Sequence, residues 1–240
     1  MRFLLALILT TLASQGVAAT IVDQAHQAHS WNYALDYPGD YMAQTFTIRN
    51  AGKLAQVSVD VILTGYADSK PPIDDLHMKI VRTDALGVPV IDQVLATHSF
   101  KWTELDQYGV NDKPHPAFDA SPWNILVSVG DVLAIVLISE QTGEDQSFSD
   151  RRFDYLWYGG TQNPHPGGDF YLYSPKRYGT APYKWTTMVN APTPPPVNTR
   201  VDMSFRITVE EVPEPQSVVL LALSLAIGCI GKLRWRRRGA

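Results

Sequence analysis

Six histidines are present, His26, His29, His77, His98, His115 and His165, and only His26 and His29 are near neighbours in the chain. A zinc centre needs three or four ligands that converge on one point. Three residues apart on a strand, the rings of His26 and His29 would point to opposite faces, so only a turn or a helix could bring them together. The single cysteine, Cys229, lies in an apolar C-terminal run, out of reach of any exterior substrate. One cysteine excludes a disulfide framework and a multi-cysteine zinc site. The acids Asp74-Asp75, Glu144-Asp145, Asp150 and Asp154 fall in or beside loops. Loop carboxylates and carbonyls of this kind hold structural Ca2+ in extracellular β-sandwiches. Neither an EF-hand pattern nor an acidic nonapeptide repeat occurs, so no cofactor is assigned, and a structural Ca2+ stays open without a ligand set. A glycosidase needs two carboxylates facing each other across a cleft, and no pair is marked. A Gly-x-Ser-x-Gly elbow, a phosphate loop and a dinucleotide fingerprint are all missing from the sequence. The expected domain is non-catalytic, with a secreted glycan hydrolase as the minor alternative.

Aromatic residues are the stronger chemical signal. Tyr155, Trp157, Tyr158, Tyr171, Tyr173, Tyr178, Tyr183 and Trp185 crowd one stretch, and Trp31, Tyr33, Tyr37 and Tyr41 another. Sugars pack their C–H faces on aromatic rings, while their edge hydroxyls seek groups such as Asn163, Asp169 and Arg177. Tyr155, Trp157, Tyr158, Tyr171, Tyr173 and Trp185 are therefore the candidate glycan contacts of a carbohydrate-binding module. The competing explanation is structural. Strands favour Tyr and Trp, and one face of residues 153–158 must be buried.

The elements that would position these residues are strands. Apolar residues recur with period two through the middle of the chain. Phe46 and Ile48 share a face, and so do Val57, Val59, Val61 and Leu63 within residues 55–64. Leu76, Met78 and Ile80 alternate with His77 and Lys79, and residues 90–100 form a further strand. Trp123, Ile125, Val127 and Val129 alternate before the Gly130-Asp131 turn. Residues 132–139 are almost continuously apolar, as a central strand covered on both faces would be. Phe153, Tyr155 and Trp157 alternate, residues 170–173 follow a Gly-Gly turn, and residues 185–189 are a weaker candidate. Met203, Phe205, Ile207 and Val209 close the series. About ten strands with turn-rich connections predict an all-β, two-sheet jelly-roll-like β-sandwich, with a closed barrel as the alternative. The Pro192-to-Pro196 stretch reads as an extended loop that returns the last strand to the sheet.

Both ends read as addresses. Arg2 precedes the apolar run from Phe3 to Leu9, and Val17-Ala18-Ala19 puts small residues where a signal peptidase reads. Residues 1–19 are the expected signal peptide, cut after Ala19. Residues 20–211 form the exported domain, and 212–240 the tail. In the tail, Pro213-Glu214-Pro215 is followed by an apolar run from Val218 to Ile230, then by Lys232, Arg234, Arg236, Arg237 and Arg238. The prolines keep the segment around Glu214 extended and open. A transmembrane helix over 217–233 would reach roughly 25 Å, slightly short of a ~30 Å hydrocarbon core. The basic cluster acts as a stop-transfer signal and stays cytoplasmic, which leaves the domain outside.

This three-part tail resembles the PEP-CTERM sorting signal of Gram-negative bacteria. The resemblance implies recognition by an exosortase near Pro213, Glu214 and Pro215, and delivery to the cell envelope, surface or exopolysaccharide matrix. Its implied partners are the exosortase, the signal peptidase, the inner membrane in transit and exopolysaccharide. The middle of the chain is also similar to the β-sandwich modules found upstream of such tails. Nucleic acid is not an expected partner, because the charge has the wrong sign. The chain carries 20 Lys+Arg against 24 Asp+Glu. Arg2 and the five basic residues of the tail leave 14 positive charges against those 24 acids, a net −10 for the exported part. An acidic domain of this kind stays soluble and avoids anionic lipid.

Overall fold

The segment Val132-Leu133-Ala134-Ile135-Val136-Leu137-Ile138 has no polar side chain, so a strand made from it requires cover on both faces. It forms β11 (Val132–Ile138), buried at every residue from Leu133 to Ile138. In the computed structural model the described residues are 18–35, 39–65, 69–72, 74–107, 115–139, 152–160, 168–173, 185–187 and 201–211. They hold sixteen strands and two short 3-10 turns, Trp102–Glu104 and Ser121–Trp123. The fold is all-β, and the compact unit to which the strands belong runs over Thr20–Glu211.

A six-stranded sheet is built around β11. Its order is β14 (Thr186–Thr187), β13 (Phe170–Tyr173), β3 (Tyr41–Thr47), β11, β6 (Leu76–Thr83) and β7 (Pro89–Phe100). Leu133, Ile135 and Leu137 belong to the main core, while Ala134, Val136 and Ile138 pack into a second cluster with Ala43, Val81 and Tyr171. That two-sided burial is what an uninterrupted apolar run demands.

A second sheet carries the first and last strands of the unit. Its order is β1 (Thr20–His26), β16 (Phe205–Glu210), then β4 (Gly52–Val59). The far edge of β4 is shared by β9 (Ala117–Asp119) and β10 (Leu126–Val127). A third sheet joins β2 (Trp31–Leu35), β5 (Val61–Thr64), β8 (Asp106–Gln107), β12 (Asp154–Gly160) and β15 (Asp202–Met203). Apart from the parallel β5–β8 pair, the ladders between strands are antiparallel.

The expected two sheets are thus three hydrogen-bonded sheets. Two of them are joined by strands that change sheet at a single residue. Asp60 separates β4 from β5, and Ser204 separates β15 from β16. Strands that switch at a bend are how packed β layers turn a corner. One main core holds side chains from all three sheets. Phe46 of β3 lies 6.0 Å from Phe205 of β16, and Phe170 of β13 lies 6.0 Å from Tyr33 of β2, centroid to centroid. Gln44, fully buried on β3, donates to Asp202 Oδ1 at 3.0 Å and accepts from the Met203 amide at 2.8 Å, tying the six-stranded sheet to the corner.

The alternation pattern needs three corrections. Residues 55–64 are two strands, although Val57, Val59, Val61 and Leu63 are all buried as expected. Residues 123–129 are not one strand. Trp123 ends a 3-10 turn, Asn124 takes a left-handed conformation (φ 51°), and only Leu126 and Val127 pair. Ile125 and Val127 point inward, while Trp123 and Val129 are exposed. Finally, β1 and β2 are strands that alternation does not announce, because neither alternates cleanly. Val17, Pro213, Glu214, Pro215, the 217–233 segment and the cluster Lys232, Arg234, Arg236, Arg237 and Arg238 lie outside the described residues, as does the Pro192-to-Pro196 loop. Among the described residues no helix is long and apolar enough to cross a membrane.

Candidate binding pocket at the sheet corner

Asp60 sits where β4 leaves one sheet and β5 enters another. A backbone at such a bend has amides and carbonyls that no single ladder satisfies. Here they are shared among three segments. The Asp60 amide donates to the Ser204 carbonyl at 3.3 Å, the Tyr158 amide to the Asp60 carbonyl at 2.9 Å, and the Ser204 amide to the Tyr158 carbonyl at 2.7 Å. The indole of buried Trp157 donates to the Ser204 carbonyl at 2.9 Å. The Ser204 hydroxyl donates to the Ala28 carbonyl at 2.6 Å and accepts from the Ala28 amide at 2.8 Å. These bonds pin the β1–β2 connection, and with it His29, against the corner. Gly160 is part of the same fit, because a Cβ there would come within 2.5 Å of the Ala28 methyl.

The side chain of Asp60 is the centre of the site, with a carboxylate only 9% exposed. Nε2 of His29 contacts one of its oxygens, and Nδ1 of His115 contacts the other at 2.9 Å. Both imidazoles are otherwise open to solvent, with side-chain exposures of 56% and 63%. His29 is held from a second side by Tyr158. The two rings stack at 5.2 Å with 8° between their planes. His115 is delivered by the segment leading into β9, where the Val59 amide donates to the Pro116 carbonyl at 3.1 Å.

These groups open onto a pocket of about 290 Å³, lined also by His26, Gln27, Ser58, Ser204, Phe205 and Arg206. Arg206 and Ser58 are register partners across β16 and β4, so their side chains share one face of that sheet. An ionised carboxylate only accepts hydrogen bonds. The two ring nitrogens facing Asp60 therefore carry hydrogens. Neutral rings then present His29 Nδ1 and His115 Nε2 outward as acceptors. Chemically, the site offers two oriented imidazole acceptors or bases, a hydroxyl and a cation.

The aromatic candidates fall elsewhere. Tyr155 and Trp157 are fully buried, and Tyr171 and Tyr173 nearly so, which leaves no ring face for a sugar to stack on. Tyr155 donates its hydroxyl to the Asp74 carbonyl at 2.5 Å. Burial first, then Asp75 and Asp74, pushes its phenol above the ordinary range. Trp185 is half-buried and meets Tyr171 and Tyr173 edge-on at 6.4 and 6.0 Å. Of the six, Trp157 reaches the corner only from its buried side, and Tyr158 lies beside the pocket with its ring covered by His29. Strand propensity and an obligatory buried face account for Tyr155, Trp157, Tyr171 and Tyr173. Tyr37, Tyr178, Tyr183, Asn163 and Arg177 lie outside the described residues.

The sequence did mark His26 and His29 as a pair to watch. They do not share a strand: His26 is the last residue of β1 and is buried opposite Phe205, His29 follows in the connection, and both line the corner pocket. Sequence reasoning missed Asp60. A visible signal was its being the only charge in residues 55–64, followed by Val61-Ile62-Leu63, where strict alternation stops. His115 had no local signal. Among the described residues no group of three or more His, Cys, Asp or Glu is arranged to hold a metal ion. No protein-family model matches the chain, and no curated protein matches it.

Proposed function

We propose that the chain is an exported, exosortase-processed protein that acts as a non-catalytic component of the cell surface or extracellular matrix, with a jelly-roll-like β-sandwich as its working part. One observation carries this proposal. The compact β unit spans Thr20–Glu211, the same interval that the cleavage motif ending at Ala19 and the tail beginning at Val212 leave between them. Thr20 and Glu210 are also direct register partners on β1 and β16. Both boundaries therefore emerge side by side at one end of one sheet. Ala19 is exposed, as a peptidase site must be.

In this scheme the signal peptide directs export and is removed by signal peptidase. The 217–233 segment holds the precursor in the inner membrane, with Lys232, Arg234, Arg236, Arg237 and Arg238 on the cytoplasmic side. An exosortase acts near Pro213-Glu214-Pro215 and passes the domain to the envelope, surface or exopolysaccharide matrix. The test is to express the full chain in a host that has an exosortase, and to follow its mass and membrane fraction by blotting. Glu214→Ala, or removal of the arginine cluster, should leave a longer species in the inner membrane. Normal processing of both variants would sink the proposal.

A further inference from the structure

The corner pocket combines features that together specify a ligand. Asp60 engages His29 and His115 with its two carboxylate oxygens, so the outward nitrogen of each ring, in its neutral form, is an acceptor for a ligand donor. Stacking on Tyr158 fixes the plane of His29, and its acceptor is therefore aimed before anything binds. Ser58 adds a hydroxyl to the same face. Arg206 adds a guanidinium that is exposed and makes no ion pair with a described residue. Two acceptors call for hydroxyl donors on the ligand. A guanidinium with no carboxylate partner among the described residues calls for an anion, best a planar one that it can grip through two N–H groups. The pocket, about 290 Å³, sits at the lower edge of the ~300–1,000 Å³ that house drug-sized ligands, which suits one ring and not a chain.

We propose that this pocket binds a small hydroxylated carboxylate of the size of one uronate sugar unit. Its ring hydroxyls donate to His29 Nδ1 and His115 Nε2, and its carboxylate is taken by Arg206. The acidic balance of the chain makes this a local recognition event, since the long-range field repels an anion and the single cation must overcome it. A bare inorganic anion would leave both imidazole acceptors unanswered, and a neutral sugar would leave Arg206 unanswered. Each of these ligands would forgo hydrogen bonds that a hydroxylated carboxylate makes. The inference is independent of the export proposal, because it concerns residues that no step of processing touches.

The experiment is a calorimetric titration of the full-length protein with glucuronate, with glucose and acetate as comparators. Glucose keeps the hydroxyls and lacks the carboxylate, and acetate does the reverse. Glucuronate should bind saturably, and both comparators at least about five-fold more weakly. Arg206→Gln should weaken glucuronate about ten-fold or more, the loss expected of a charged hydrogen bond, while leaving glucose unchanged. His115→Ala should weaken glucuronate and glucose alike. Arg206 is exposed, so its variant should leave the melting temperature in place, whereas His115 is also a partner of the nearly buried Asp60 carboxylate. If His115→Ala melts early, the Arg206→Gln result decides alone. The proposal is overturned by no saturable binding up to about 20 mM glucuronate, a range that would still report a very weak site. It is equally overturned by unchanged affinity in Arg206→Gln. Acetate binding as tightly as glucuronate would overturn it in favour of a plain anion site, and glucose binding as tightly would overturn it by showing that the carboxylate is not read.

Discussion

The strand β11 and the corner at Asp60 solve opposite problems. Along β11 itself every side chain is apolar, and the strand is paired on both sides, with β3 and β6, in register from Leu133 to Ile138. Nothing there is left over to meet a ligand. At the corner, three segments cross without a common ladder, and their backbone groups are satisfied one by one through Ser204, Tyr158 and Ala28. That arrangement leaves polar side chains at the surface of the bend, held in fixed positions by a buried scaffold. The difference teaches where function can be added to a β fold: the interior of a sheet supplies rigidity, and the place where strands change sheets supplies addressable groups.

The contrast can be tested at three levels. The largest effect belongs to the sheet interior. Ile135→Ala removes a fully buried side chain from the main core and should destabilise the protein by about 2–5 kcal/mol in urea denaturation. A loss below ~1 kcal/mol would mean that β11 is not a rigid element, since core truncations of this kind exceed that. Next comes the corner. Ser204→Ala orphans the Ala28 amide and carbonyl and should cost about 1–3 kcal/mol. It should also speed hydrogen exchange at the Ala28 amide far more than at β11 amides. Equal acceleration in both places would erase the distinction between the two regions.

The smallest effect lies at the outer edge of β4's sheet. The hydroxyl and then the amide of Ser121 hold the Asp119 carboxyl below its ordinary value of 3.8. A carboxyl lowered in the folded state contributes stability that is present above the unfolded value and is lost as pH falls through the folded one. In a carboxyl-carbon NMR titration Asp119 should have a midpoint below 3.8, and Ser121→Ala should move it upward toward 3.8. A midpoint that does not respond to Ser121→Ala would rule out Ser121 as the cause of the shift.

Most of the β architecture could be read from the residues, because alternation and continuous apolar runs report burial directly. Residues 132–139, 76–82 and 203–209 were legible for that reason, and the sides that Val57, Val59, Tyr155 and Trp157 take were legible too. The sheet change at Asp60 was not, because Val59 and Val61 keep the same inward phase on both sides of it. Periodicity records which face is buried, not which neighbour is bonded. Strand β1 hid for another reason: a register shift between Val22 and Gln24 puts Asp23 inside, where it accepts from the amides of Arg49 and Asn50. A polar residue with an interior job breaks the hydrophobic pattern that would have announced the strand. The pocket was least legible of all. Its members come from positions 29, 60, 115 and 206, and only the folded chain brings them to one place. The aromatic residues drew attention because they are large and frequent, yet size and frequency are also what a core selects.

The placement of β16 has a mechanical meaning. It is flanked on both sides, by β1 and by β4, and carries Arg206 near one end and Glu210 at the other, about 14 Å apart at ~3.4 Å per residue. A pull on β16 along its own axis, resisted by β1 and β4, loads the hydrogen bonds of both ladders in shear, so they must fail together. A pull between Thr20 and Glu210 instead opens the β1–β16 ladder from its end, one bond after another. The same strand is therefore strong along its own axis and weak where Thr20 and Glu210 are drawn apart.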